Sequence, residues 1–320
     1  MNDQCSIVIP LYNEEKNIDT CFDVLNKQTY RNIEILFIND GSTDNSVEII
    51  QRKIIENPHL KIRLLSQKNL GAAEARRNGI VNATSDYITI LDCDDELSND
   101  AINSAMQLFD SRKDVDIVLF DLKYQTKIDI QTKKINNFKY YTDSKEISGT
   151  DALKNSLDKW GVHGLGIYRK DIMLKSYEQY EKFNKENLVN NDEIITRLCF
   201  MNSSHVFLSK GIYFYNNNPF STTKRINSNL YKKIYNSIIL YQILLEQTPE
   251  IANTSLIMNY TWEAYRYFKL YKTKLINSSD WEVAILKGVS MIKFKDLIFS
   301  LSFKARIQYF LLLVNGYRSL

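Results

Sequence analysis

The chain has 320 residues, of which 44% are hydrophobic and 25% are charged, and its net charge is +3. These values are typical of an ordinary globular protein, and the length is sufficient for a sizeable core. The net charge is small and no arginine-rich arm occurs, so we expect no nucleic-acid partner.

The four cysteines are scattered and form no Cys-x-x-Cys pair, which argues against a zinc site and favours reduced thiols. The N-terminus lacks the basic region of a signal peptide, and no run approaches the roughly 18 apolar residues of a spanning helix. We therefore expect a cytoplasmic protein, either unattached or peripheral at the inner face of the cell membrane.

Apolar runs alternate with helical patterns along the first 120 residues. In chain order, we expect strands at 6–10, 33–39, 62–66, 87–91 and 116–120, with helices between them at 18–27, 45–56, 71–82 and 99–109. Continuous apolar strands joined by crossover helices predict an α/β fold with a mostly parallel central sheet and helices on both faces.

Polar residues follow each of the first four predicted strands. In such sheets, ligands bind outside the carboxyl ends of the strands. The sequence therefore predicts a site at this edge of the sheet. The four segments are residues 10–15, 39–44, 67–71 and the acidic tetrad Asp92-Cys93-Asp94-Asp95.

The acidic tetrad is the strongest of these signals. Carboxylates this close together raise one another's pKa unless they share a cation, and hard oxygen ligands suit Mg²⁺ or Mn²⁺ together with the oxygens of a substrate phosphate. The alternative is an acidic loop that caps the helix beginning near Ser98. The tetrad is the fourth polar strand end in a row, which favours the cation site.

Four blocks of this sequence resemble the family 2 glycosyltransferases, of the type that builds bacterial surface polysaccharides. They occur in the expected order and spacing at residues 6–14, 39–44, 71–79 and 91–95. The resemblance implies a GT-A fold and an inverting enzyme that uses a nucleotide-diphosphate sugar and a divalent cation, Mn²⁺ or Mg²⁺.

The resemblance also implies roles for individual residues in binding the donor. Pro10, Tyr12 and Glu14 would lie around the base and ribose, with Tyr12 stacked on the base. Asp40 would accept a hydrogen bond from a uracil-type base, and Arg76 would reach the nucleotide or diphosphate.

Within the tetrad, the resemblance divides the roles. Asp92 would contact the ribose or the donor sugar, Cys93 would lie in the nucleotide-sugar site as a small spacer, and Asp94 would hold the metal. Asp95 would support the loop.

Inversion at an anomeric carbon also requires a base on the acceptor hydroxyl. By resemblance, Asp192 is that base, at the start of a helix, and Glu193 is the second candidate. A helix cap is the structural alternative for Asp192. Trp160 and His163, in a stretch with three glycines, are candidates for the acceptor site, although each could equally be a packed structural residue.

From about residue 213 the pattern turns helical, with apolar residues at helical spacing in 230–246, 251–271 and 281–289. We expect a catalytic domain at 1–215 and a helical C-terminal region at 216–320. The final stretch from Met291 mixes cations with large apolar residues, which predicts either contact with a membrane surface or a helix packed on the catalytic domain.

The leading hypothesis is a non-processive, metal-dependent transferase that moves one sugar from a UDP-sugar to a glycan or lipid-linked acceptor. No Gln-x-x-Arg-Trp motif occurs, which argues against a processive synthase. The alternatives are a sugar-nucleotide pyrophosphorylase, although the first strand lacks a glycine-rich phosphate loop, and an inactive protein of the same fold that only binds. A dinucleotide oxidoreductase is excluded because no G-x-G-x-x-G follows a strand.

Overall fold

The computed structural model describes residues 3–127, 133–140, 142–157, 161–184, 186, 188–216 and 226–317. In chain order the elements are β1 (Cys5–Leu11), α1 (Ile18–Lys27), β2 (Ile33–Asn39), α2 (Ser46–Glu56), β3 (Lys61–Ser66), α3 (Ala72–Asn82), β4 (Tyr87–Ile90), β5 (Glu96–Leu97), α4 (Ala101–Ser111), β6 (Val115–Lys127), β7 (Lys133–Asn137), β8 (Glu146–Ser148), α5 (Gly149–Leu157), β9 (Gly166–Arg169), α6 (Lys170–Phe183), α7 (Asn191–Asn202), β10 (His205–Asn216), α8 (Lys232–Gln247), α9 (Ser255–Tyr271), α10 (Ser278–Met291), α11 (Phe294–Phe299) and α12 (Phe303–Val314).

Every predicted strand and helix of the first 120 residues is present, so the predicted α/β fold is confirmed. The largest difference in length is at β6, which was expected at 116–120 and continues to Lys127. The added residues are mostly polar, but they keep pairing with β10 on one side and with β7 on the other.

The strands form one sheet in the order β3-β2-β1-β4-β9-β6-β10-β5. The first four strands are parallel, and β9 runs antiparallel between β4 and β6. Two reversals restore the original direction, so β6 and β10 run the same way as β4. The carboxyl ends of β1–β4, β6 and β10 therefore meet at one edge of the sheet.

The core explains why these segments fold as they do. Strand β2 is buried along its whole length, as expected for a parallel strand covered on both faces. Helix α1 buries one side of its surface, and its Phe22 ring stacks on Phe37 of β2 with centroids 5.4 Å apart. In α3, a Cβ on Gly79 would overlap the side chain of Val8, so glycine lets this helix lie close to β1.

The chain forms two compact units. The first comprises Met1–Leu153, Gly161–Tyr177 and Cys199–Asn218 and holds the sheet. The second comprises Lys154–Trp160, Glu178–Leu198 and Pro219–Leu320 and is helical, with Trp281 of α10 fully buried against Tyr267 and Phe268 of α9. Among the described helices, none is long and apolar enough to cross a bilayer.

Candidate functional site

The loop after β2 is fixed by Asp40. This carboxylate is buried and accepts hydrogen bonds from the backbone N–H groups of Leu70 (2.8 Å) and Gly71 (2.7 Å) and from Nε2 of Gln67 (2.8 Å). A carboxylate oxygen can accept two bonds, so Oδ2, which accepts only the Gly71 bond among these, can receive one more donor. Asp40 thus joins the loops after β2 and β3, and its Oδ2 atom can accept one more hydrogen bond.

The loop after β1 is joined to the loop after β2 as well. Asn13 has a positive φ of 56°, and its side-chain oxygen accepts a bond from the Thr43 backbone N–H at 2.8 Å. The backbone N–H groups of Asn13 and Glu14 donate to the hydroxyls of Ser42 and Ser46. Pro10 lies inside β1, and the Tyr12 ring, just past its end, is 48% exposed.

The acidic tetrad follows β4, and its side chains point alternately towards the surface and into the protein. Asp92 and Asp94 are partly exposed, whereas Cys93 and Asp95 are buried. The Cys93 thiol lies beside that of Cys21 in the core, and this contact together with burial raises its pKa well above the usual value. Only the backbone of Cys93 is therefore placed to face a ligand at the surface.

Asp92 is paired with a cation from α3. Nη2 of Arg76 lies 2.9 Å and 3.2 Å from the two carboxylate oxygens of Asp92. Arg76 stands in the first turns of α3, which start at the same edge of the sheet, so the two side chains meet beside the tetrad. The structure thus brings together two residues that the sequence predicted for the donor site.

Asp95 ties the tetrad to the end of β10. Its carboxylate accepts bonds from the Tyr213 hydroxyl and the Asn216 backbone N–H, both at 2.7 Å. The Asn216 side chain also donates to the carbonyl oxygen of Asp94 at 2.7 Å. Burial, and then the charges of Asp92 and Asp94, raise the pKa of Asp95 to about 8.

Nearby negative charge also contributes to the raised pKa of Glu14, after burial. Burial raises this pKa, the bond from Asn17 partly opposes the shift, and the charges of Asp94, Asp92 and Asp44 raise it further. The loops after β1 and β4 therefore share one electronegative patch at the carboxyl edge of the sheet.

Among the described residues, no three His, Cys, Asp or Glu side chains converge on a point that could hold a metal ion. Mg²⁺ and similar ions are often held by one or two carboxylates plus substrate phosphates rather than by a cage of protein ligands. The electronegative patch fits a cation of that kind, because a positive charge would relieve the carboxylate repulsion that adds to the effect of burial on the pKa values of Glu14 and Asp95.

The predicted base lies in the second unit. Asp192 stands exposed in the first turn of α7, as the sequence predicted, directly after Asn190 with its positive φ of 76° and Asn191. The neighbouring Glu193 is held differently. Its Oε2 atom lies 3.3 Å from Arg197 and accepts a hydrogen bond from Tyr260.

The surroundings of Glu193 keep it charged. Burial raises its pKa, but the charge of the buried Arg197 and the bond from the Tyr260 hydroxyl more than offset this effect, and the pKa is lowered. The negative charge of Glu193 therefore neutralises the positive charge of the buried Arg197.

Of the two acceptor candidates, Trp160 lies outside the described residues. His163 is 5% exposed and sits inside an aromatic cluster with Phe138 and Tyr140. The backbone N–H of Leu165 donates to Nδ1 of His163 at 3.1 Å, and Nε2 lies 2.9 Å from the Tyr140 hydroxyl. Burial lowers the pKa of His163 to about 3, so the ring is neutral and can act on a ligand only through its neighbours.

Sequence reasoning missed Tyr213 and Asn216, which hold the tetrad in place. Tyr213 and Asn216 follow the tetrad by about 120 residues, and no sequence motif links these two parts of the chain. The available signal was the run of residues 212–216, an apolar and aromatic strand that ends in a polar residue like the four strands before it.

Comparison with known proteins gives a consistent result. Residues 6–172 match the sequence model of glycosyl transferase family 2. An uncharacterized glycosyltransferase of Escherichia coli, YibD, is 34% identical over 180 residues, which cover 53% of this chain and 50% of YibD. The match thus spans half the length of that relative.

Solved structures share the fold. Staphylococcus aureus TarS 1–349 in complex with UDP-GlcNAc superposes with a TM-score of 0.72 at 16% identity, covering 96% of this chain and 88% of TarS. The Pyrobaculum calidifontis mannosyltransferase PcManGT, in complex with GDP-Man and Mn²⁺, superposes with a TM-score of 0.52 at 14% identity. The match covers 99% of this chain and 83% of PcManGT. These likenesses confirm the predicted GT-A fold.

Proposed function

Because the chain belongs to glycosyl transferase family 2, the family that its four sequence blocks resemble, we propose that it is a non-processive, inverting hexosyltransferase. It moves one sugar from a UDP-sugar to a glycan or lipid-linked saccharide in cell-surface polysaccharide synthesis, with residues 1–215 as its catalytic domain. The observation that carries the proposal is the joining of four strand-end loops into one electronegative edge by Asp40, Asn13, Arg76 and Asp95.

The uridine part of the donor would lie over the loops after β1 and β2. The exposed Tyr12 ring offers a stacking face, and Oδ2 of Asp40 retains an acceptor for a base N–H. Pro10 and Glu14 line the same edge. The binding of UDP-GlcNAc by TarS, which has the same fold, supports a UDP-sugar as donor.

The diphosphate would lie against the tetrad. Asp94 would hold Mn²⁺ or Mg²⁺ together with diphosphate oxygens, and the ion would neutralise charge on the leaving diphosphate. The Mn²⁺ of PcManGT supports this choice of ion. Arg76, which pairs with Asp92, would contact a phosphate oxygen as well, and Asp92 would face the ribose or the sugar.

The reaction is a single in-line displacement. Asp192 takes the proton of the acceptor hydroxyl while the hydroxyl oxygen forms a bond to the anomeric carbon. The bond from that carbon to the diphosphate oxygen breaks, the bonding electrons leave with UDP, and the configuration inverts. Asp192 is preferred because its side chain is exposed, whereas Glu193 is partly buried and offsets the charge of Arg197.

The final two helices would contact a membrane surface. Helices α11 and α12 expose large apolar side chains, including Phe294 (76%), Phe299 (78%) and Phe303 (77%). The exposed cations Lys293, Lys295 and Lys304 lie beside them in the chain. This combination suits an interface with anionic lipid, which would bring the enzyme to a lipid-linked acceptor.

Donor hydrolysis tests the proposed function without knowledge of the acceptor. Purified protein with Mn²⁺ or Mg²⁺ is incubated with UDP-glucose, UDP-galactose, UDP-N-acetylglucosamine, GDP-mannose and an ADP-sugar, and the released nucleotide is measured. We expect slow release of UDP from at least one UDP-sugar. Release from a GDP- or ADP-sugar alone would refute the donor class, and the absence of release with every sugar would refute the transferase.

A further inference from the structure

Two tyrosines stand at the carboxyl ends of β6 and β10. Tyr124 and Tyr215 are direct neighbours in the parallel pairing of these strands. Because β6 and β10 run in the same direction as β4, both residues lie at the edge of the sheet that carries the acidic tetrad. The donor site proposed above therefore has an aromatic neighbour.

The two rings form an exposed surface. Their centroids are 6.0 Å apart in an edge-to-face arrangement, and Tyr124 and Tyr215 are 39% and 38% exposed. The Tyr124 hydroxyl is protonated at neutral pH and can donate a hydrogen bond, and burial of the rest of the side chain raises its pKa further. Rings with hydroxyl groups at their rim match a pyranose, which has an apolar C–H face and a polar rim.

Aromatic residues behind the surface fix its position. The centroid of the Phe138 ring lies 6.5 Å from that of the Tyr124 ring, and Phe138 also contacts the rings of Tyr140 and His163. The Tyr140 hydroxyl in turn accepts a hydrogen bond from the Leu122 backbone N–H on β6. A preorganised surface loses little conformational entropy when a ligand stacks on it.

The surface is also joined to the tetrad through the chain. Tyr215 directly precedes Asn216, whose side chain donates to the Asp94 carbonyl and whose backbone N–H donates to Asp95. On the other side of Tyr215, Phe214 pairs with Glu96 of β5. The aromatic surface is thus held next to the loop that would carry the diphosphate.

We propose that Tyr124 and Tyr215 form a stacking site for a sugar ring of the saccharide acceptor. The inference rests on the proposed function, because an acceptor must lie beside the donor for the displacement to occur. It gives His163 an indirect role, in which the buried ring supports Phe138 and Tyr140 behind the surface.

The test uses simple glycosides as probes, because the acceptor itself is unidentified. Saturation-transfer NMR is recorded with methyl β-glucopyranoside, methyl β-galactopyranoside and methyl N-acetyl-β-glucosaminide, each with and without UDP and Mn²⁺. We expect signal on the C–H face of at least one ring. Loss of the two aromatic rings in the double variant Tyr124→Leu/Tyr215→Leu should weaken binding about threefold to tenfold.

Three comparisons make the result specific. The double variant Tyr124→Phe/Tyr215→Phe keeps both rings and should retain most of the binding. Ile55→Ala removes an exposed apolar side chain from α2, which has no role in the proposed sites, and should change nothing. Calorimetric titration with UDP in the presence of Mn²⁺ shows whether each variant keeps its donor site.

Two outcomes would overturn the stacking site. The first is a leucine double variant that binds UDP and retains the full glycoside signal. The second is a wild-type protein that binds UDP but gives no signal with any of the three glycosides. A wild-type protein that fails to bind UDP would instead contradict the proposed function, and a glycoside signal that depends on the two rings would still support the stacking site.

Discussion

Tyr213 donates a hydrogen bond to Asp95, 118 residues earlier in the chain, over an oxygen–oxygen distance of 2.7 Å. Both groups are buried, and the Asp92 backbone N–H approaches the same hydroxyl at 3.4 Å. The end of β10 therefore holds the turn that presents Asp92 and Asp94 at the surface.

Tyr213→Phe removes the hydroxyl and leaves the buried carboxyl group of Asp95 with one hydrogen-bond partner fewer. We expect a loss of about 1–3 kcal/mol in the free energy of unfolding. Denaturant unfolding measures this loss, and Tyr309→Phe, at a partly exposed tyrosine of α12, is the control. A loss no larger than that of the control would show that the bond does not hold the loop.

Because His163 is buried as a neutral ring, we expect the free energy of unfolding to fall at acid pH. The folded protein keeps this ring neutral with a pKa of about 3, whereas an unfolded histidine titrates near pH 6.5. Between these values the unfolded chain binds a proton that the folded chain does not, so stability falls as the pH is lowered from about 6.5 towards 3. The contribution is about 1.4 kcal/mol per pH unit below about pH 6.

His163→Gln should remove this contribution, and the pH dependence of its unfolding free energy should be flatter than that of the wild type. His59→Gln, at an exposed histidine, is the matched control and should keep the wild-type slope. Equal slopes for wild type and His163→Gln would contradict the buried neutral ring.

Asp192→Asn and Glu193→Gln should separate catalysis from stability. Asp192→Asn should retain UDP binding, while transfer or donor hydrolysis falls at least about a hundredfold because no base remains. Glu193→Gln leaves the buried Arg197 without a carboxylate and should lose stability by about 3 kcal/mol. Loss of UDP binding in Asp192→Asn, or an unfolding free energy lowered as much as in Glu193→Gln, would make Asp192 a structural cap.

The exposed apolar residues of α12 predict binding to vesicles that contain phosphatidylglycerol. Phe303→Ser/Phe310→Ser should weaken co-sedimentation, because two of the apolar side chains that would enter the interface are removed. Ile55→Ser, at an exposed isoleucine of α2, should not. Wild-type protein that stays in the supernatant at low salt would rule out the membrane contact.

The sequence predicted the parts of the site that depend on local pattern. Strands that end in polar residues placed the tetrad, Asp40 and Arg76 at one edge, and the start of α7 was predicted at Asp192. These signals are local because a strand or a helix start is encoded within a few residues.

Contacts that depend on strand order were not predictable in the same way. The bond from Tyr213 to Asp95 requires β5 to pair with β10, and the neighbouring Tyr124 and Tyr215 require β6 to pair with β10. Neither pairing follows from the sequence, because the strands are far apart in the chain. The burial of His163 has the same origin, since it depends on Phe138 and Tyr140 folding back over it.

The most direct test of the proposed donor site is calorimetric titration of the protein with UDP in the presence and absence of Mn²⁺. We expect Mn²⁺ to strengthen UDP binding in the wild type and in Asp100→Asn, which changes an exposed carboxylate outside the tetrad. In Asp94→Ala, the strengthening by Mn²⁺ should be lost. Equal strengthening in Asp94→Ala and wild type would contradict the assignment of the metal to Asp94, and the absence of UDP binding in the wild type would contradict the donor site itself.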